Sequence, residues 1–452
     1  MEENAHIEKE SAIIRRPRHS PWPAIAMAEA KRIVDEHFAP GASKLIQLSS
    51  VKEGDVLFED IFATRPQPEV RTSIKDGYAV IASDGAGVRD VIHKTTAGML
   101  ASITLQPNTV CRVNTGSMIP DGADAVVQIE DTRLVKHDNM EELSIEVLSV
   151  PRIGQDIRID ISVSLQATKL YFSEVGSDIA VGDLLLAKHT VLRSAEIGIL
   201  AGSQRKSVRI FRRPRIAVMS TGHELVDCEA NDCPLGLIRD TNRPQLLALF
   251  RTCCTKPFDI GIVPDSEEKL ADALNEAFAF ADIVVSSGGV SMGEKDYLKS
   301  VIQEKFKFKI HFGRVMMKPG LPTTFATGFW NGQNKAIFAL PGNPVSAWVT
   351  AQLFVMPALR KTAGYANYWP TTIKVKVTES ISLDSRPEYR RAWLRSSSSD
   401  VPEAVCTSPN QLSSRMLNLR GANLLLVLPA RSDACSVIEE GHIVDALIIG
   451  TL

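Results

Sequence analysis

Residues 286–296 read Ser-Ser-Gly-Gly-Val-Ser-Met-Gly-Glu-Lys-Asp and follow directly on the apolar run Ile283-Val284-Val285. A β-branched run that stops at small residues and glycines delivers a backbone-lined loop to the carboxyl edge of an α/β sheet, where anionic ligands bind. Gly288, Gly289 and Gly293 let backbone N–H groups approach a ligand closely, and Ser286, Ser287 and Ser291 add hydroxyl donors for an oxyanion. Glu294 and Asp296 bring negative charge to the same place. Carboxylates beside phosphate donors call for a bridging divalent cation, because phosphate and carboxylate otherwise repel. Read alone, the stretch is described equally well as an ordinary βα turn ahead of a solvated acidic helix start.

Two further stretches shift that balance. Ile216-Ala217-Val218-Met219 runs into Ser220-Thr221-Gly222-His223-Glu224, again small residues followed by a carboxylate. Ala336-Ile337-Phe338-Ala339-Leu340 ends in Pro341-Gly342-Asn343-Pro344-Val345-Ser346, a turn stiffened by two prolines. In a doubly wound sheet such loops share one edge, so their side chains converge although they are far apart in the chain. Between them, Met317-Lys318-Pro319-Gly320 sets a lysine beside a stiff turn. Lys318 suits a phosphate or oxyanion as a point charge, although a lysine chosen at random is more often a surface residue.

The elements that would position these loops follow from the pattern. From 212 to 366, β-branched runs alternate with helical ones, which predicts a parallel α/β sheet with right-handed crossovers. Residues 66–153 carry short β-type runs divided by Gly and Pro turns and predict an all-β module. Residues 367–452 return to β runs and predict a compact barrel-like module. At 452 residues the chain calls for about three modules at ~150 residues each.

Composition excludes some classes. Lys plus Arg total 51 against 53 for Asp plus Glu, so no chain-wide basic footprint for nucleic acid is present. No run approaches the ~18 apolar residues of a membrane span, and a signal core is missing, which predicts a cytoplasmic protein without a transmembrane segment. The seven cysteines are scattered with no CxxC pair, as for reduced thiols, and Cys253 reads as a small core residue. A GxxxxGK[ST] loop is absent, which argues against a P-loop nucleotidase. The basic cluster at Arg15, Arg16 and Arg18 lies in a Glu-rich leader, residues 1–18, read as a disordered tail.

Taken in order, these stretches resemble the MoeA family, which includes the E domain of gephyrin. The match adds Ile74-Lys75-Asp76-Gly77-Tyr78-Ala79-Val80, Asn114-Thr115-Gly116, Gly122-Ala123-Asp124-Ala125-Val126-Val127, Gly154-Gln155-Asp156-Ile157-Arg158, Arg386-Pro387-Glu388-Tyr389 and Gln411-Leu412-Ser413-Ser414-Arg415-Met416. The resemblance implies a multidomain α/β plus β fold. Residues 19–65 and 154–211 form a discontinuous elongated domain, 66–153 a β insertion, 212–366 a doubly wound, MogA-like α/β module, and 367–452 a C-terminal β module.

It also implies a molybdopterin molybdenumtransferase, which transfers molybdenum from molybdate to adenylylated molybdopterin with release of AMP. Glu224, Asp265 and Asp296 would hold Mg²⁺ or orient water. Asp76 and Asp178 would act on the cleft across a homodimer, together with Thr115. Ser220, Thr221, Gly222, Ser287, Gly288, Gly289, Ser291, Gly293, Lys318, Gly342, Asn343, Pro344, Ser346, Arg391 (or its neighbour Arg390), Ser413 and Ser414 would cradle the anionic substrates. A separate molybdopterin adenylyltransferase would supply the substrate, since this chain carries no such domain.

Two departures from the family pattern stand out. Between Arg158 and Gly176 about fifteen extra residues intervene, including 162–172, long for a connection inside a compact domain. His223 stands where relatives commonly have Asn or Asp. Gephyrin-like scaffolding, with receptor or cytoskeletal peptides as partners, remains the alternative function, and a generic phosphate binder a third. Where receptor-clustering relatives present an acidic and an aromatic residue on the first helix, this chain has Ala28 and Lys31.

Overall fold

Ser266 accepts a hydrogen bond from the Lys269 N–H at 3.3 Å, and Glu267 and Glu268 occupy the first turn of the helix Glu267–Phe280. Cap and charge both favour a helix start there. Leu270, Ala273, Leu274, Ala277 and Phe278 then recur at helical spacing and pack on Ala217, Met219, Val284, Ile337 and Ala339 of the neighbouring sheet. Burying a phenylalanine such as Phe278 contributes about 2–3 kcal/mol. Strand residues one step on, Val218, Val285 and Phe338, face the opposite core with Leu246, Phe250 and Phe354. A sheet buried on both faces reads as continuous apolar runs, as seen at 216–219 and 283–285.

These elements come from a computed structural model, which describes residues 22–138, 141–160, 173–175, 178–253, 256–290, 297–396 and 400–450. The leader 1–18, the extra stretch 162–172, and Ser291, Gly293 and Asp296 lie outside the described residues. The chain divides into two compact units. One holds the segments up to Phe58, His189–Ser194 and from Ser207 onward; the other holds Glu59–Lys188 and Ala195–Lys206.

In the first unit the six-stranded sheet has the order Phe258–Val263, Ile216–Thr221, Ile283–Ser287, Gln333–Leu340, Thr324–Trp330, Lys309–Phe312. The first four strands are parallel, as expected, but Thr324–Trp330 runs antiparallel to both of its neighbours, so the sheet is mixed. The cause is a two-residue turn: Asn331 and Gly332 both have positive φ, and they fold Thr324–Trp330 back on Gln333–Leu340. Five strands, Thr372–Val377, Glu403–Cys406, Glu388–Arg395, Leu424–Leu428 and Ile443–Ile448, close the C-terminal barrel. Cys253 is buried in the α/β core, as its apolar neighbourhood suggested.

The second unit carries a six-stranded β sheet in the order Ala125–Gln128, Gly77–Val80, Thr109–Val113, Gly87–Thr95, Glu142–Val147, Thr132–His137. Its period-two alternation sends Tyr78, Val80, Val110 and Val127 to one core and Ala79, Cys111, Val113 and Val126 to another. The ends of the extra stretch pair in parallel, Ile157–Asp160 with Ser173–Val175.

One partly buried contact makes stability depend on pH. His311 lies against His37 with ring centroids 4.0 Å apart, and its Nε2 is 2.7 Å from Thr327 Oγ1. Burial, then the nearby His37 and Lys309, push its imidazole down to about 4. The unfolded chain takes up a proton at this group near ~6.5 and the folded one does not until about 4, so acid favours unfolding across that window. Above ~6.5 both states are neutral and the contribution is flat. Urea melts from pH 7 to 4.5 are expected to show a falling midpoint, and His311→Gln is expected to remove part of that slope. An identical slope in the variant would contradict this assignment.

Candidate functional site

Ser220 pairs with Ser287, and Ser287 with Leu340, so three parallel strands end at one level. Beyond that level a cleft of about 460 Å³ opens, lined by Thr221, Glu224, Asp265, Ser287, Gly288, Gly289, Gly342 and Asn343, among others. It lies between Ile216–Thr221 and Ile283–Ser287, where the strand order reverses direction, the position at which open α/β sheets bind ligands. Close packing of the loops requires glycine at Gly288. Its φ is +92°, and a Cβ there would stand 2.4 Å from the Thr221 carbonyl oxygen. The helix Pro344–Thr350 starts at the third loop with proline in its first turn, where no N–H is needed.

The cleft is acidic. Burial, and after it the charge of Glu224, hold the Asp265 carboxyl above the usual range, while His223, 3.9 Å away, pulls it back. Among the described residues lining the cleft none is a lysine or arginine. Two carboxylates without a cationic partner repel a phosphate. They fit a small divalent cation, which takes one or two carboxylates plus waters and substrate phosphates. Among the described residues no group of three or more His, Cys, Asp or Glu side chains is placed to form a closed protein cage.

A polar atom at the cleft is also left open. Asn242 donates from Nδ2 to Ser287 Oγ at 2.6 Å and to the Gly342 carbonyl at 2.7 Å, tying the second loop to the third. Among the described residues its Oδ1 is buried with no hydrogen-bond partner, and the buried Thr221 hydroxyl has no neighbour but the Asp265 carboxylate to turn to. An unpartnered atom costs about 1–3 kcal/mol unless a ligand or water completes it. Asn242 escaped the sequence reading, because an Asn opening a helix after Asp-Thr looks like an ordinary cap.

The remaining expected residues fall elsewhere. Ser220 is buried below the cleft and donates to Asp240 Oδ1 at 2.9 Å. Gly222 sits between Thr221 and Glu224 in the first loop, and Ser346 is buried in the helix that Pro344 opens. Ser413 accepts from Asn343 Nδ2 at 3.1 Å, which brings the 407–420 loop to the cleft rim, with Ser414 exposed beside it.

Lys318 does not line the cleft. Its ammonium lies 3.3 Å from Asp384 and 3.4 Å from the buried Glu388. Arg391 is not brought to the cleft either: fully buried, it donates to the carbonyls of Tyr389 and Gln411, both at 2.9 Å. Burial pushes its guanidinium down to about 10. Arg390 donates to Cys406 Sγ at 3.3 Å and to the Pro409 carbonyl at 3.0 Å. In the second unit, Asp76 accepts from the Thr115 N–H at 2.7 Å and its hydroxyl at 3.2 Å, so these two are brought together, and Asp178 is exposed.

Comparison with known proteins agrees with this architecture. Residues 25–203 match the MoeA N-terminal region (domain I and II), and residues 217–361 match a probable molybdopterin binding domain. The chain is 35% identical to gephyrin of Dictyostelium discoideum over 96% of its own length and 64% of that protein. It is 36% identical to the molybdenum cofactor synthesis protein cinnamon of Drosophila melanogaster, over 84% of its length and 60% of that protein. It thus spans under two thirds of these two relatives. With the molybdopterin molybdenumtransferase of a Nostoc species it shares 34% identity over 83% of each chain. The fold is shared with a MoeA protein of Pyrococcus horikoshii at a TM-score of 0.71 and 24% identity, over 94% of this chain and all of that one.

Proposed function

We propose, since this chain belongs to the MoeA family of molybdopterin molybdenumtransferases, that it transfers molybdenum from molybdate to adenylylated molybdopterin and releases AMP. The observation that carries this reading is the cleft at the sheet's reversal point, with two carboxylates and no cationic side chain among its described lining residues. In the reaction both dithiolene thiols bond to molybdenum, their two protons carrying off one molybdate oxygen as water, and a second water cleaves the pyrophosphate linkage so that AMP leaves. Molybdate and both phosphates are anions and must be held together.

Glu224 and Asp265, joined by Asp296 on the family resemblance, would hold Mg²⁺. When bound, that ion would offset the pyrophosphate charge and polarise the linkage to be cleaved. The chain's own residues do the rest. The Gly288-Gly289 turn admits the ligand to the strand ends, and Asn242 Oδ1 offers it an unused hydrogen-bonding atom. Asp76, Thr115 and Asp178 would act on the cleft of a second copy in a homodimer. A separate adenylyltransferase would deliver the substrate, in the cytoplasm.

Calorimetric titration with AMP tests the electrostatic part. Binding is expected with Mg²⁺ and at least ~10-fold weaker in EDTA, about 1.4 kcal/mol. Equal affinity under both conditions would remove the cation from the account.

A further inference from the structure

Between strands Ile216–Thr221 and Phe258–Val263 the chain makes an excursion, 222–240, that carries Glu224 into the cleft. Leu225 and Ile238, at its two ends, pair in parallel and also line the cleft. The Ile238 N–H donates to the Glu224 carbonyl and the Asp240 N–H to the Val226 carbonyl, both at 2.8 Å. Within the excursion Arg239 Nη1 donates to the carbonyls of Cys228 at 3.1 Å and Ala230 at 2.7 Å.

What fixes this excursion to the sheet is one guanidinium. Arg243, in the first turn of the helix Asn242–Phe250, is 8% exposed and binds three carboxylates. Its Nε donates to Asp240 at 2.9 Å, Nη1 to Asp259 of the strand Phe258–Val263 at 2.5 Å, and Nη2 to Asp227 of the excursion. Asp240, 1% exposed, also takes the Ser220 hydroxyl at 2.9 Å. Strand end, excursion and neighbouring strand therefore meet on a single side chain, whose planar fork suits several directed bonds at once as a lysine would not. Arg243 is not among the residues lining the cleft.

We propose that Arg243 is a positioning residue: through Asp227 it holds the 222–240 excursion in the arrangement that presents Glu224 to the cleft. This rests on the transferase reading for its catalytic consequence, but not for its structural one. Cutting Arg243 itself would strand the buried Asp240, so the informative variant is Asp227→Asn. Asp227 is half exposed, and an asparagine retains an acceptor for the Glu229 N–H while losing the charged bond to Arg243.

The test compares wild type, Asp227→Asn and Asp227→Glu by amide hydrogen exchange and by molybdate-dependent AMP release. In Asp227→Asn the Ile238 and Asp240 amides are expected to exchange at least ~10-fold faster, with the amides of Ile283–Ser287 unchanged. If the competent arrangement falls to about a tenth of the population, KM for adenylylated molybdopterin rises ~10-fold while kcat at saturation stays within about 3-fold. General loss of structure would not give that split. Asp227→Glu is expected to restore most of both effects. Unchanged exchange in Asp227→Asn would overturn the clamp, and faster exchange with an unaltered KM would overturn its role in the reaction. If the wild type itself released no AMP, the transferase reading would fail, and the exchange data would still decide whether Arg243 holds the excursion.

Discussion

With Glu224 and Asp265 replaced together by Gln and Asn, molybdate-dependent AMP release is expected to fall at least ~1,000-fold, about 4 kcal/mol of lost transition-state stabilisation. Both side chains line the cleft, and no cationic side chain is found among the described lining residues. The amides keep the shape and remove the charge that would hold a divalent cation against the pyrophosphate. Each single change is expected to cost at least ~100-fold, and the effects are not expected to add, because two ligands of one ion act as a unit.

Stability should move the other way. The Asp265 carboxyl is held above its usual range by burial and by Glu224, so its charged form is disfavoured in the fold at neutral pH. An asparagine there is expected to leave the melting temperature unchanged or raise it. A drop in activity with a parallel loss of stability would point to structural damage instead.

Gly288→Ala is expected to have the largest effect on folding. Adopting φ +92° costs an alanine about 1–2 kcal/mol, and its Cβ would meet the Thr221 carbonyl oxygen at 2.4 Å. Relieving that overlap costs about a further 1–3 kcal/mol, because Thr221 closes a strand laddered to its neighbours and cannot retreat alone. Gly342→Ala supplies the contrast. Its added Cβ would lie 3.7 Å from the nearest atom, Gly288 Cα, an ordinary contact. Denaturant melts should therefore show Gly288→Ala weakened by roughly 2–5 kcal/mol and Gly342→Ala nearly neutral. Equal stability of the two would mean that the loops do not pack as described.

Much of this site could be read in the chain because its signals are local. Ile216–Thr221 and Ile283–Ser287 are apolar runs closed by small residues, which is how a doubly buried strand reaches a ligand edge. The antiparallel strand Thr324–Trp330 was missed although Asn331-Gly332 carries the usual signature of a two-residue hairpin turn. The partners of Lys318 and Arg391 were not legible. Lys318 meets Glu388 seventy positions away in the chain, and no local pattern announces that pairing. Glu388–Arg395 reads Glu-Tyr-Arg-Arg-Ala-Trp-Leu-Arg, so two charged residues beside each other suggest a solvent face. In the barrel Arg391 turns inward instead and satisfies the Tyr389 and Gln411 carbonyls. That role is architectural: it holds the loop whose Ser413 meets Asn343 at the cleft rim.

The lining of the cleft shows the same limit. Leu225 and Ile238 belong to the site because the two ends of the 222–240 excursion pair with each other, and Asn242 because it bonds Ser287 and the Gly342 carbonyl. Their residue types carry no chemical signature, and only these long-range pairings place them.

The most direct test of the transferase account is AMP release from adenylylated molybdopterin by the 452-residue chain, with molybdate and Mg²⁺ added separately and together. The account predicts release only when both are present, together with conversion of the pterin to its molybdenum-bound form. Release without molybdate would make the protein a plain pyrophosphate hydrolase. No release from a folded, AMP-binding protein would contradict the transferase reading outright.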